Sequence, residues 1–233
     1  MDRRITLPPM CRALFRAISL AALISLCSFS AAAQRAEDPD GDTQFWPDIQ
    51  VSFRLHPKVA LNLFGTSREG RDISVPVNEQ VGGAVSFSLN KYLTVGPGYR
   101  FIATQPTPTR HSHENRFFFD VTMRLPLRAG FAVSDRNRGE ARNIDGTFSQ
   151  RYRNRLQVER AFSIHDHRFT PYVSSEAYYD RRFHDWVRWQ HFIGVRVPVH
   201  QHVTLDSYYL KQNDARSRPG YLQVLGMSVR LDF

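Results

Sequence analysis

The chain has 233 residues, with 31 Lys and Arg against 22 Asp and Glu, a formal charge of +9 and a mean hydropathy below zero. Its 2 cysteines, Cys11 and Cys27, both precede residue 34, so the rest of the chain holds neither a disulfide nor a thiolate metal site. After residue 33 no apolar run approaches the roughly twenty residues of a membrane helix. The basic residues are spread through strand-like segments rather than blocked together, which argues against a nucleic-acid partner.

The N-terminus has the layout of an export signal. Arg3, Arg4, Arg12 and Arg16 precede an apolar run from Ala17 to Phe29, and Ala31-Ala32-Ala33 offers a small-residue cleavage site. The run falls short of a spanning helix, and Leu26 does not suit a lipoprotein box around Cys27. The expected organisation is a signal peptide at 1–33, a polar segment at 34–44 and a β-barrel at 45–233. Cleavage leaves about 200 residues, the size of one domain.

Eleven segments then alternate apolar and polar side chains: 45–55, 59–67, 79–89, 92–103, 115–125, 129–142, 148–162, 169–180, 186–199, 203–212 and 221–233. Most are as long as the roughly nine to eleven residues of a tilted membrane strand, whereas soluble strands average about five or six. Short turns at 56–58, 90–91, 126–128, 163–168 and 200–202 alternate with longer polar loops at 68–78, 104–114, 143–147, 181–185 and 213–220. Short periplasmic turns and longer outer loops are the habit of outer-membrane barrels. Only a closed barrel reconciles such a chain with a bilayer, because every backbone group then finds its partner on a neighbouring strand.

The expected fold is therefore all-β, a transmembrane antiparallel up-and-down barrel of about 10–12 strands behind a cleavable signal peptide. An odd count conflicts with the even numbers of bacterial barrels. Either 34–44 enters the lumen or adds a strand, giving twelve, or 129–142, weakened by Gly139, drops out to give ten; twelve is preferred.

The last segment carries the clearest pattern. Leu225, Met227, Val229, Leu231 and Phe233 share one face, with Gly226, Ser228, Arg230 and Asp232 on the other. A terminal Phe closing such a strand resembles the assembly signal of Gram-negative outer-membrane barrels, so barrel-assembly machinery, membrane lipid and lipopolysaccharide are the expected partners of a monomer in the bacterial outer membrane.

With the apolar face outward, Arg136, Arg138, Arg151, Arg153, Arg155, Glu159, Glu176, Asp180, Arg188 and Arg196 point inward, as do Asp48, Arg54, Arg68, Arg100, Arg116, Asp120, Arg124, Glu140, Asp206, Arg230 and Asp232. Trp46, Tyr92, Tyr179, Trp186, Trp189, Tyr209 and Tyr221 are candidates for interfacial girdles. Twelve strands about 4.8 Å apart and tilted about 40° enclose a backbone diameter of about 24 Å, which arginines from all sides largely fill. Two readings stay open: a salt-bridge lattice that stiffens a shut barrel, and a narrow path for small anions lined by the surplus arginines. The small inward set Gly82, Ala84, Ser86, Ser88, Thr94, Gly96 and Gly98 would leave room for a path.

Two constellations could carry chemistry. His111/His113, His165/His167 and His200/His202 are His-x-His pairs, a spacing that on a strand aims both rings to one face for a metal, but all fall in turns or loops and read as solvated. Ser175 and His191 both face lipid and oppose each other if the intervening hairpin is symmetric about residue 183. That pair resembles the arrangement in outer-membrane phospholipase and defines the alternative function, a lipid-modifying hydrolase. Asn154, however, lies on the far side of Ser175 from the ring, the wrong order for a triad.

Ser134-Asp135-Arg136-Asn137-Arg138, Tyr152-Arg153-Asn154-Arg155-Leu156 with Glu159, Pro171-Tyr172-Val173-Ser174-Ser175-Glu176 with Asp180, and Tyr208-Tyr209-Leu210-Lys211-Gln212 occur in that order. With the terminal strand they resemble the domain of unknown function 2490 family, a set of presumed outer-membrane barrels, most clearly over 115–233. The resemblance implies location and fold. It implies no established activity, so no catalytic residue and no cofactor is expected from it.

Overall fold

The computed structural model describes residues 41–165 and 167–233. The expected signal peptide and residues 34–40 lie outside the described residues. Strands β1 (Gly41–His56), β2 (Val59–Gly70), β3 (Val75–Ser88), β4 (Leu93–Thr107), β5 (Arg110–Pro126), β6 (Phe131–Ile144) and β7 (Thr147–Arg160) follow one another, each antiparallel to the last. A stub, β8 (Phe162–Ile164), leads into β9 (His167–Asp180), β10 (Asp185–His200), β11 (Val203–Asp214) and β12 (Tyr221–Asp232). The stub pairs only with the first residues of β9, while β7 itself pairs with β9, so the wall has eleven strands.

Parity is resolved at the seam. β1 and β12 pair in parallel, from Gly41↔Tyr221 to Ser52↔Asp232. The even-number expectation holds only where the closing pair is antiparallel; a parallel closing pair requires an odd count. Neither twelve nor ten strands is correct, and the segment 129–142 is a full wall strand paired along its length on both sides. Residues 41–44, expected in a polar leader, begin β1.

The loops differ from expectation too. At the end that holds Phe233, the turn end, connections fall at 57–58, 89–92, 127–130, 161–166 and 201–202; at the loop end they fall at 71–74, 108–109, 145–146, 181–184 and 215–220. The long outer loops are absent among the described residues because the strands continue almost to the tips. Asp145 and Gly146 show how this is done: both have positive φ (48° and 86°), which makes a two-residue turn whose twist matches that of the strands it joins. Residues 143 and 144, read as loop, therefore sit in the ladder.

The outward face carries exposed Ile49, Phe53, Leu63, Val81, Phe117, Phe119, Leu156, Val173, Ile193, Leu225 and Met227, the apolar band a lipid-facing wall needs. On it Tyr152 and Tyr179 each meet Trp186 edge to face, and Trp189 lies tilted against Trp186. Trp46 does not join a girdle. It is 5% exposed inside the barrel, where its Nε1 donates to Gln44 at 2.7 Å and the Arg68 guanidinium lies 3.9 Å from its ring.

Inside, Trp46, Tyr172, Phe192, Leu210, Leu222 and Val224 form an apolar plug against β9 to β12 and β1. Aromatic rings reach it by lying over cross-strand glycines. Tyr208 faces Gly226 and Gly194 in the ladder, and a Cβ at Gly226 would stand 2.0 Å from Cζ of Tyr208. Phe118 covers its partner Gly98 in the same way, at 2.2 Å. Glycine is needed there because the ring occupies the space of a side chain.

Candidate functional site

Alternation puts charged side chains of neighbouring strands side by side, and the antiparallel register decides which meet. β7 supplies Arg151, Arg153 and Arg155, flanked by Glu140 and Arg136 of β6 and by Glu176 of β9. Glu176 is fully buried and accepts from Arg136 Nη2 at 2.7 Å, Arg153 Nε at 2.9 Å and Arg155 Nε at 3.1 Å. Glu140 accepts from Arg151 Nε at 2.7 Å and Arg153 Nη1 at 3.0 Å, with Arg116 Nη1 3.8 Å away. Shared arginines join these carboxylates into one chain. Arg116 also reaches Glu114 at 2.6 Å, and Arg142 links Glu114 (2.8 Å) to Asp180 (3.1 Å), where Arg182 closes the loop end at 2.7 Å.

The remaining acids are met locally. Asp120 takes a two-pronged contact from Arg138 Nε (2.7 Å) and Nη2 (2.6 Å), the geometry in which a planar guanidinium matches a carboxylate. Glu159 is held between Arg124 and Arg196 near the turn end. Asp214 receives Arg188 at 2.5 Å, and Asp206 receives Arg230 at 2.7 Å and the Tyr172 hydroxyl at 2.9 Å.

Thus the ten residues Arg136, Arg138, Arg151, Arg153, Arg155, Glu159, Glu176, Asp180, Arg188 and Arg196 all lie in the barrel interior in ion pairs. Glu114, Arg142 and Asp214 were missed as members. Arg142 ends the segment 129–142 on the inward parity of Arg136, Arg138 and Glu140, and Glu114 and Asp214 continue the inward alternation past their segments' assumed ends, the signal that could have found them. Each carboxylate taken from water costs several kcal/mol, and only multiple hydrogen bonds offset that. Three donors on Glu176 supply them.

Beside the lattice, in the half of the barrel nearer the turn end, is a cavity of about 340 Å³. The expected small wall borders it through Ala84, Ser86, Thr94 and Gly96, while Gly82 and Gly98 are covered by the rings of Phe64 and Phe118. Arg100 of β4, Arg136 and Arg138 of β6 and Arg153 and Arg155 of β7 line it as well.

On the outward face, His191 and Ser175 are direct ladder partners, with Oγ and Nδ1 3.2 Å apart. The symmetry about residue 183 arises through a bulge at Val187: the hairpin begins at Asp185↔Asp180 and shifts by one to reach Arg188↔Tyr178. Asn154 points away from this pair, donating to Asp135 at 2.6 Å and Asn137 at 3.1 Å. The His-x-His pairs gather no third ligand: among the described residues no group of three or more potential ligands could hold a metal. His113 stacks on Phe101 and His202 on Phe233. Phe233 is itself stacked on Phe53 at 5.7 Å, and its backbone exchanges 2.8 Å hydrogen bonds with Ser52 and Arg54 across the seam.

A family model described as protein of unknown function (DUF2490) matches residues 43–223, from the start of β1 into β12. The chain belongs to the DUF2490 family. Among solved structures, the DUF2490 barrel is similar to LpxR from Salmonella typhimurium, with a TM-score of 0.52 and 9% identity over 79% of this chain and 87% of that one. Identity this low shows the fold alone, a barrel like that of an outer-membrane protein. The siderophore receptor PirA from Pseudomonas aeruginosa aligns over 70% of this chain and 32% of that one at 12% identity, but its TM-score of 0.29 carries no argument. None of the curated proteins matches this DUF2490 sequence.

Proposed function

We propose that the protein is a monomeric outer-membrane β-barrel with a structural role, its lumen held shut by the arginine–carboxylate lattice and the apolar plug. The turn end faces the periplasm and the apolar band meets lipid, with lipopolysaccharide around the loop end; Phe233 is the mark read during assembly. One observation carries the reading: Glu176, at the middle of the barrel, binds three arginines and has no exposed surface. Guanidiniums pinned in this way cannot swing aside for a passing ion without leaving a carboxylate unpaired.

The test is conductance. Refolded protein in a planar bilayer is expected to give no discrete current steps. Glu176→Gln removes the shared negative charge and turns one accepting oxygen into a donor facing arginines, and is expected to cost about 3–5 kcal/mol in a vesicle unfolding titration. Stable chloride-selective steps from the wild type, weakened by Arg153→Gln with Arg155→Gln, would establish the narrow anion path instead.

The Ser175–His191 contact favours a second reading, a lipid-facing hydrolase. Against it, the serine takes Nδ1, no carboxylate or amide among the described residues orients Nε2, and the backbone of Ser175 and of His191 is paired in the ladder on both sides, away from the role of an oxyanion donor. No cleavage of phospholipid vesicles is expected, and cleavage abolished by Ser175→Ala would reverse this.

A further inference from the structure

The cavity at the turn end does work that a shut lumen does not require. We propose that it is a binding site for a small phosphorylated polyol, a ligand of the sugar-phosphate class. Four of its five arginines are held from behind: Glu176 fixes Arg136, Arg153 and Arg155, and Asp120 fixes Arg138. A planar donor fork fixed before the ligand arrives loses little freedom on binding, and it matches phosphate oxygens two at a time.

Arg100 is different. Among the described residues it meets no carboxylate; its Nη1 donates to the neutral Gln80 at 2.6 Å, and its guanidinium lies 4.4 Å from the Phe64 ring centroid. Its Nε, and that of Arg136, are buried without a protein acceptor, and both side chains line the cavity. A guanidinium with a buried N–H left unpaired is under-satisfied, so an oxyanion brought against these two side chains is favoured by both charge and hydrogen bonding.

The lining also has another chemistry. Thr94 and Thr122, the latter beside Arg136 in the ladder, and Asn62 and Ser86, joined to each other at 3.1 Å, present neutral hydrogen-bonding groups suited to hydroxyls. Asp48, which also lines it, already accepts from Thr66, Gln50 and Ser228 at 2.7–2.8 Å. A volume of about 340 Å³ lies within the range of about 300–1,000 Å³ typical of small-molecule sites, and inorganic phosphate alone would fill only a fraction of it. Guanidiniums and neutral hydrogen-bonding groups in one lining together select a phosphate ester that carries several hydroxyls. Binding does not depend on whether the lumen conducts, so conductance and calorimetry test separate statements.

The experiment is isothermal titration of the refolded full barrel in detergent, in buffer free of phosphate and sulfate. Glucose 6-phosphate is expected to bind saturably, inorganic phosphate more weakly, and glucose not at all. Arg100→Gln is expected to weaken glucose 6-phosphate by about tenfold, the loss of one charged hydrogen-bonding partner. Thr122→Val is expected to weaken glucose 6-phosphate while leaving phosphate unchanged, and it stands as the test if Arg100→Gln does not refold. Absence of heat with both anions, glucose 6-phosphate affinity unaltered by both variants, or phosphate binding as tight as its ester would each overturn the proposal.

Discussion

Tyr208 and Gly226 show how finely the interior is fitted. Because a Cβ at Gly226 would stand 2.0 Å from the Tyr208 ring, Gly226→Ala must displace that ring from the plug formed with Phe192 and Leu210. A destabilisation of about 1–3 kcal/mol is expected, the usual range for overpacking. In a Tyr208→Ala background the same change should cost much less, because the obstacle is gone. A double-mutant cycle in vesicles measures the difference, and strictly additive penalties would count against the packing argument. Single residues were also where sequence reading was weakest. Trp46 at a strand start suits a girdle as well as a lumen, and only the register, which sets Gln44 and Trp46 on the same face as Asp48, shows it inside. Leu222 and Val224 hid likewise: near the loop end β12 is apolar on both faces, so alternation no longer says which face meets lipid.

At the scale of the strand, the period of two was legible almost throughout, because lipid outside and charge inside impose opposite demands on successive residues. The inward assignment of Arg151, Arg153 and Arg155, and the facing of Ser175 by His191, follow from that period and the hairpin between β9 and β10. Strand ends were not legible. Beyond the membrane both faces can be polar, so Glu114, Asn143 and Asp214 look like loop although they sit in the ladder. β12 makes the prediction at this scale. Phe233 lies between Phe53 and His202 and hydrogen-bonds across the seam, so it anchors the strand that closes the barrel. Deleting it is expected to lower the amount of assembled barrel and leave protease-sensitive material. Unchanged heat-modifiable gel mobility and unchanged surface levels would argue that the terminal ring is dispensable.

For the whole molecule, the fold class was readable but the closure was not. Nothing in a single strand's alternation tells whether its neighbour runs up or down, so the parallel seam between β1 and β12 emerges only once all strands are paired. The seam bears on how the chain can be rewired. In an even-numbered barrel the two ends of the wall meet at one rim, and a short hairpin linker could join them. Here the β1 residue Gly41 lies beside Tyr221 at the loop end while Phe233 lies at the turn end. The twelve paired residues of β12 separate them, at roughly 3.3 Å each about 40 Å of strand. A linker joining them would have to thread a lumen already filled by the Glu176 and Glu140 pairs, or cross lipid with its backbone unpaired. Circular permutants that fuse Phe233 to Gly41 are therefore expected to fail at refolding even with long linkers, scored by the loss of the folded band on unboiled gels. A permutant that refolds with a linker of a few residues would mean that the two ends share a rim after all. Swapping where this polypeptide starts is thus forbidden by the direction of a single pair of strands.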